Sequence, residues 1–221
     1  MMRNWRRRKD LGIEGFTARW YNKNTRKHRL GEMKSYAKLV ELDLQQGASV
    51  LEVAPGPGYL AIELAKSGKY KVVGVDISKT FVEMACANAR EAGVEVEFRQ
   101  GSASDLRFPD GSFDAIVCTA AFKNFRDPEG ALREMYRVLK PRGAVLIVDM
   151  NRHATDAQID ELTSKMKVKG LEALFMKLTF KYFLRKGAYS RAELEGMIAR
   201  KDWRFTVIEE DGIGFRIWLG K

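Results

Sequence analysis

Residues 50–61 read Val50-Leu51-Glu52-Val53-Ala54-Pro55-Gly56-Pro57-Gly58-Tyr59-Leu60-Ala61, and this stretch decides the fold. A short aliphatic run ends in a turn with two glycines, and a helical pattern follows. Glycines let a ligand approach the backbone closely, and a helix start offers free N–H groups. Because Gly56, Gly58 and Ala61 also fit the G-x-G-x-x-G/A pattern of dinucleotide-binding proteins, the turn alone indicates an adenosine cofactor of either kind.

Two acidic residues favour one kind of cofactor. Glu52 precedes the turn, where a carboxylate suits a sulfonium and an ammonium group and would repel a pyrophosphate. Asp76 ends the next predicted strand, where its two oxygens can accept the hydroxyls of a ribose. The alternative for Asp76 is a solvent-exposed N-cap of the following helix.

Around this turn, predicted strands alternate with predicted helices, which is typical of βαβ units in a parallel sheet. The predicted strands are 50–53, 71–75, 94–99, 113–118 and 144–148, and the predicted helices are 59–66, 79–92 and 128–139. Gly93 ends the second of these helices, and Pro128 lies in the first turn of the third. The predicted fold class is therefore α/β, with a doubly wound, mostly parallel sheet.

After Asp149 the pattern changes to a long, partly helical stretch over residues 156–185. Its apolar residues are too numerous for a simple connector: Leu171, Leu174, Phe175, Leu178, Phe180, Tyr182 and Phe183. Two interpretations stay open, a helical cap over a pocket and a helix pair packed on the sheet or in a dimer interface.

The end of the chain completes the predicted core. Ser190 and Glu193 form a capping box that opens a last helix, and 205–209 and 214–219 form an antiparallel hairpin. The predicted organisation is a basic arm and first helix over 1–34, a cofactor-binding core over 35–150, a helical cap over 151–189, and the last helix and hairpin over 190–221.

Charge is distributed unevenly in this chain of 221 residues, whose net charge is +10. The excess of Lys and Arg over Asp and Glu is +8 in residues 1–34 and +4 in residues 151–221, but −2 in residues 35–150. The first ten residues hold Arg3, Arg6, Arg7, Arg8 and Lys9 around Trp5. This arm is either a solvated tail or a binding element for a nucleic acid, an anionic small substrate or a membrane surface.

Several classes of protein are disfavoured. The apolar runs are too short for a transmembrane helix, and no apolar segment follows the N-terminal arginines, so the cytoplasm is the expected compartment. Cys86 and Cys118 lack metal-ligand spacing and are expected to be buried free thiols. With His28 and His153 as the only histidines, the sequence predicts no metal site.

Residues 48–150 resemble class I S-adenosylmethionine-dependent methyltransferases, the group that contains the ubiquinone and menaquinone biosynthesis methylases and many small-molecule methylases. Five motifs carry the resemblance in the family's order, at 51–58, 74–78, 101–108, 113–118 and 134–143. The resemblance implies a Rossmann-like sheet of seven strands and methyl transfer from S-adenosylmethionine to a small molecule, with S-adenosylhomocysteine as product.

The same resemblance implies roles for ten residues. Glu52, Ala54, Gly56 and Gly58 would shape the methionine end of the cofactor site, Asp76 would hold the ribose, Ile77 would pack on the adenine, Ser102 and Ala103 would face the adenine edge, and Thr119 and Ala120 would lie near the methionine. Two positions depart from the family. Ala54 replaces the first glycine and asks for a slightly wider turn, and Ser102 replaces an acid; we expect binding to survive both changes.

Candidate catalytic residues follow the fourth strand. Many relatives have His at the position of Asn124, and Asn cannot act as a general base at neutral pH. Methyl transfer is an in-line displacement, so we expect alignment to supply most of the catalysis. Lys123 and Asn124 either orient an anionic or carbonyl-bearing acceptor, or Asn124 closes the loop and Lys123 is exposed.

The N-terminal segment offers one further candidate. Residues 16–22 resemble the aromatic helix that closes over the cofactor in this group, and Tyr21 is the candidate contact. In the alternative, Phe16 and Trp20 pack against the core and Tyr21 lies at the surface. Tyr189 likewise either points into the pocket or only precedes a helix cap.

Three alternative functions have some support in the sequence. The basic arm favours an RNA methyltransferase, although the Asn/Asp-Pro-Pro-aromatic tetrapeptide of base-amino methylases is missing. Ala54, Ser102 and the missing histidine favour a noncatalytic S-adenosylmethionine-binding protein. A nicotinamide dehydrogenase is disfavoured by Glu52 and by the lack of a proton relay.

Overall fold

A computed structural model of the chain describes residues 12–42, 44–166 and 170–221, without the side chains of residues 171, 172, 175 and 183. The basic residues and the tryptophan predicted to form an N-terminal arm lie outside the described residues. So do the side chains of Leu171, Phe175 and Phe183 in the predicted cap.

The structure is built on one seven-stranded sheet with the order β3-β2-β1-β4-β5-β7-β6. The strands are β1 (Ser49–Val53), β2 (Lys71–Asp76), β3 (Glu97–Gln100), β4 (Phe113–Thr119), β5 (Leu139–Met150), β6 (Phe205–Asp211) and β7 (Gly214–Gly220). The first five strands in this order run parallel, and β7 is antiparallel to both β5 and β6. The predicted seven-stranded, mostly parallel sheet with its C-terminal antiparallel hairpin is confirmed.

Helices cover both faces of the sheet. They are α1 (Gly15–His28), α2 (Leu30–Glu41), α3 (Tyr59–Ala65), α4 (Lys79–Ala92), α5 (Pro128–Val138), α6 (Asp156–Lys165), α7 (Gly170–Leu178) and α8 (Arg191–Ile198). Successive strand residues point to opposite faces, so Val50 packs in the cluster of α2 and α3, and Leu51 packs in the cluster of α5 and α8. The chain is therefore doubly wound, and the carboxyl ends of its parallel strands share one edge.

Two strands begin three or more residues away from their predicted starts, and the other strand boundaries differ by at most two residues. Strand β3 begins at Glu97 because the Val94 N–H still donates to the Ala89 carbonyl at the end of α4, 3.1 Å away. Strand β5 begins at Leu139, which pairs with Phe113 ahead of a register shift in β4. Residues 141–143 suggest a turn, but β5 pairs with β4 both before this segment, at Leu139, and after it, from Ala144 onward.

The predicted cap is a helix pair, with α6 followed by α7, a π-helical segment (Thr179–Leu184) and a short turn (Arg185–Gly187). It packs on the carboxyl end of β5 through Met150, Ile159 and Ala188. Asn151 then bridges to Tyr189, whose ring lies 5.8 Å from that of Phe122. The helix pair thus borders the edge where the strands end.

Several local predictions are confirmed. Ser190 and Glu193 form a capping box at the start of α8. Cys86 and Cys118 are free thiols, and Cys118 is buried as predicted, whereas Cys86 is only partly buried. The predicted boundary between residues 34 and 35 falls inside α2, so the first segment and the core share a helix.

Membrane-spanning helices and metal-binding clusters are both absent from the residues that the structure describes. No helix among them is both long and apolar enough to cross a bilayer. Within the same ranges, no cluster of His, Cys, Asp and Glu side chains is arranged to hold a metal ion.

Candidate cofactor and acceptor site

The turn after β1 presents its backbone to open space. Gly56 has a φ of +55°, and a Cβ added there would lie 3.8 Å from Cε1 of Tyr21. A Cβ added at Gly58 would instead lie 2.7 Å from Cζ of Phe98, so this glycine serves close packing. Ala54 takes a φ of +58°, a left-handed conformation that costs an alanine about 1 kcal/mol. The chain therefore accommodates alanine in place of the family's glycine at position 54 through a strained backbone conformation.

Glu52 lies buried behind this turn. Its Oε2 accepts a hydrogen bond from the Ala61 N–H at 2.8 Å, which ties the end of β1 to the start of α3. Burial, helped by the nearby Asp76 carboxylate and opposed by the hydrogen bond from Ala61, raises the pKa of Glu52 to about 8. A positive charge placed beside the turn would favour the ionised form of Glu52.

Asp76 joins the end of β2 to the same turn. Its Oδ2 accepts from the Gly56 N–H and its Oδ1 accepts from the Ser78 N–H, both at 2.9 Å. Burial raises the pKa of Asp76. The alternative of an exposed N-cap is wrong, because Asp76 is buried and Ser78 caps α4 by accepting from the Phe81 N–H. Each carboxylate oxygen keeps a second lone pair that can accept a further hydrogen bond.

A shallow cleft opens beside Asp76, at the carboxyl ends of β1, β2 and β3. It is lined by four of the predicted cofactor residues, namely Ala54, Ile77, Ser102 and Ala103, and also by Val75, Gly101, Ser104, Phe125 and Asp127. Sequence reasoning missed Phe125 and Asp127 as lining residues. The only local signal was the helix start at Pro128, which predicts Asp127 as an N-cap. That signal gives no indication that Asp127 also lines the cleft.

Helix α1 forms a wall over the turn. Tyr21 faces Gly56, its ring packs edge-on to Phe81 with centroids 5.6 Å apart, and its hydroxyl accepts from Arg29 at 3.2 Å. The alternative with Phe16 and Trp20 packed inside is wrong, because their exposed fractions are 78% and 44%. The inner face carries Ala18, Tyr21 and Thr25 instead.

Polar contacts hold α1 in this position. The Glu14 carboxylate accepts from the N–H groups of Lys79 and Thr80, at 3.1 and 3.0 Å, where α4 begins. Asn22 accepts from the Tyr59 hydroxyl at 2.8 Å. These contacts attach α1 to α4 and α3. The contacts of Glu14 join residues about 65 positions apart in sequence, and the contact of Asn22 joins residues 37 positions apart.

The loop after β4 is fixed by a buried ion pair. Lys123 is only 5% exposed, and its ammonium donates to Asp149 Oδ1 at 2.8 Å and to the Ala120 carbonyl at 2.6 Å. The Lys123 N–H also donates to Asp149 Oδ2 at 2.7 Å. The alternative of an exposed Lys123 is therefore wrong, because its partner comes from the end of β5.

This ion pair bears directly on predicted site residues. Ala120 follows Thr119 at the end of β4 with a left-handed φ of +57°. The Ala120 carbonyl is the group to which Lys123 donates. Asn124, by contrast, is exposed at the end of a short 3₁₀ turn (Phe122–Asn124). The structure thus separates the two candidates, with Lys123 holding the loop and Asn124 open to solvent.

Comparisons with known proteins agree with this geometry. Residues 51–147 match the family model described as a methyltransferase domain. The uncharacterized methyltransferase YcgJ of Bacillus subtilis is 41% identical over 118 residues, which cover 53% of this chain and 46% of that protein. The demethylmenaquinone methyltransferase of Thermus thermophilus is 38% identical over 114 residues, which cover 51% of this chain and 52% of that protein. The chain thus spans about half the length of these curated relatives.

A solved structure shows the same fold. The SAM-dependent methyltransferase of Aquifex aeolicus superposes with a TM-score of 0.65 and 21% identity, over 89% of this chain and 91% of that one.

Proposed function

We propose that the chain, whose residues 51–147 match the methyltransferase-domain family model, transfers a methyl group from S-adenosylmethionine to a small-molecule acceptor. One observation carries the proposal. The buried Asp76 carboxylate fixes the backbone of the glycine turn and keeps acceptor capacity beside an open cleft. That arrangement suits a ribose next to the turn.

The residues present fit this methyl donor. Ile77, Ser102 and Ala103 line a cleft that suits an adenine ring, and the surface over Gly56 is free of side chains except for Tyr21. Glu52 offers a negative charge behind the turn once it is ionised. When bound, S-adenosylmethionine supplies a methyl group on a positively charged sulfur, which a nucleophile can displace in line.

The chain's own residues contribute position more than proton transfer. Lys123 and Asp149 fix Ala120 and so set the shape of the loop after β4. We assign Lys123 this positioning role, and Asn124 and Tyr21 stay candidates for contact with the acceptor. Tyr21 also borders one side of the turn, next to Gly56. The loop 119–128 contains no histidine, so an acceptor that is already nucleophilic is favoured.

Calorimetric titration of the full chain with S-adenosylmethionine, S-adenosylhomocysteine and NADH tests the proposal first. Micromolar binding of the first two ligands is the expected result, and binding of NADH alone would overturn it. A panel of small-molecule acceptors then tests turnover. Tight binding without methyl transfer to any acceptor would favour the noncatalytic alternative.

A further inference from the structure

The outer face of α1 is apolar and basic at once. We define the α1 outer face as Ile13, Phe16, Arg19, Trp20 and Lys23, all of which are exposed. Phe16 and Trp20 lie four residues apart and therefore on one side of the helix. The opposite side carries Ala18, Tyr21 and Thr25, which pack toward the core and the glycine turn. Packing of α1 on the core thus leaves Phe16 78% exposed and Trp20 44% exposed.

The charges on this face are also uncommitted. Arg19 and Lys23 each lie three residues after an exposed aromatic residue, so they flank the apolar side chains. Neither forms an ion pair with any residue that the structure describes.

The position of the face matters because α1 walls the candidate site through Tyr21. A second exposed apolar set, made of Leu174, Leu178 and Tyr182, lies on the helix pair at the same edge of the sheet. Exposed apolar residues thus occur on two elements beside the edge where the strands end. Scattered apolar residues need no explanation, but an aromatic pair flanked by unpaired cations does.

We propose that the α1 outer face docks on the surface of an anionic lipid bilayer. A helix with Trp and Phe on one side and Lys and Arg beside them binds in the headgroup region by apolar burial together with charge attraction. A nucleic acid suits the face less well, since the aliphatic Ile13, Leu174 and Leu178 offer no ring on which a base can stack. A second copy of the chain would bring like charges together.

This inference goes beyond the proposed function and does not depend on it, because binding to vesicles can be measured without methyl transfer. Sedimentation of the full chain with phosphatidylcholine vesicles, and with vesicles of equal parts phosphatidylcholine and phosphatidylglycerol, gives the bound fraction. We expect binding to the anionic vesicles only, and weaker binding as salt is added.

Two variants and two matched controls locate the surface. Phe16→Gln should reduce vesicle affinity about tenfold, because one aromatic side chain is no longer buried in the bilayer. Its control is Leu42→Gln, which removes a side chain that is 76% exposed just after α2 and ahead of the amino end of β1. Arg19→Gln with Lys23→Gln should also reduce affinity about tenfold or more, since each cation near the bilayer contributes about 1 kcal/mol.

The control for this charge variant is Lys34→Gln with Lys38→Gln, which removes the same net charge from exposed positions on α2. Losses in both α1 variants but in neither control would support the proposal. Equal losses in variants and controls, or no vesicle binding by the unaltered chain, would overturn it. Binding of RNA without vesicle binding, or self-association that Phe16→Gln abolishes, would also overturn it and assign the face to that partner.

Discussion

Asp76 is the residue on which the assignment of the donor site depends most. Asp76→Ala should weaken S-adenosylmethionine binding at least about tenfold, which is about 1.4 kcal/mol, because a charge-assisted contact to the ribose is lost. Calorimetry measures the affinity, and thermal unfolding shows whether the variant is folded.

Asp114→Ala is the matched control for this prediction. Asp114 accepts from the Ser49 N–H at 2.8 Å and pairs with Lys140, but it lies at the amino end of β4, away from the cleft. We expect this variant to lose stability and to keep its affinity for the cofactor. Unchanged affinity in Asp76→Ala would remove Asp76 from the site.

Glu52 should make stability depend on pH. Its pKa of about 8 in the folded chain, raised mainly by burial, exceeds the 4.5 of an ordinary glutamate, so the folded state holds a proton that the unfolded chain releases between these values. The free energy of unfolding therefore falls as pH rises through this window, by up to about 5 kcal/mol from this group alone. Glu52→Gln keeps an oxygen for the Ala61 N–H and should flatten the decline.

Urea unfolding of both proteins across this pH window is the measurement for Glu52. Since every other titrating group is shared, the difference between the two profiles reports on this carboxyl group. Parallel profiles would mean that Glu52 is already ionised at neutral pH.

Among the elements, β4 and β5 are joined at their carboxyl ends by the pair of Lys123 and Asp149. Lys123→Met should lower the free energy of unfolding by about 3 to 5 kcal/mol, because it leaves a buried carboxylate without its cation. Lys123→Met combined with Asp149→Leu should recover part of that loss. If the pair positions Ala120, both variants should also raise the KM for S-adenosylmethionine more than they lower kcat.

Urea unfolding in a double-mutant cycle checks this prediction. The pair of Lys140 and Asp114 is the matched control, because its side chains are 39% and 34% exposed and its loss should cost about 1 kcal/mol or less. Equal costs for the two pairs would contradict a buried, structure-determining role for Lys123.

The same elements show how far a sequence can be interpreted. Strands β1, β2 and β4 follow from short apolar runs, and the starts of α4 and α5 follow from their caps. The true start of β5 depends on the pairing of Leu139 with Phe113, which no local pattern records. The burial of Lys123 likewise depends on Asp149, 26 positions away. Local rules suggest an exposed lysine in a loop, and a distant carboxylate reverses that expectation.

At the scale of the whole molecule, the doubly wound sheet and the place of the cleft were predictable, because alternating strands and helices bring the glycine turn and Asp76 to one edge. The orientation of α1 was left open by the sequence. Its aromatic residues allow either Tyr21 or the pair of Phe16 and Trp20 to face inward, and contacts of Glu14 and Asn22 with distant elements turn Tyr21 inward. Such polar contacts leave no periodic signal in the sequence.

The attachment of α1 leads to a prediction for the whole chain. Polar groups hold this helix to the core, including Glu14, Asn22 and the ion pair of Arg26 with Glu91, and few of its side chains are buried. We therefore expect α1 to open more readily than the sheet. Since Tyr21 borders the glycine turn, a ligand in the site should favour the closed position.

Hydrogen exchange of the full chain with and without S-adenosylhomocysteine measures this coupling. At a ligand concentration about 100 times the dissociation constant, the ligand should suppress those openings of α1 that abolish binding. Amide exchange in α1 that occurs through these openings should then slow by up to about 100-fold. Helix α8 packs on the other face of the sheet and serves as the internal control, with no change expected. Slower exchange in residues 54–58 with unchanged exchange in α1 would show that ligand binding does not require α1 to be closed, and Tyr21 would then be removed from the site.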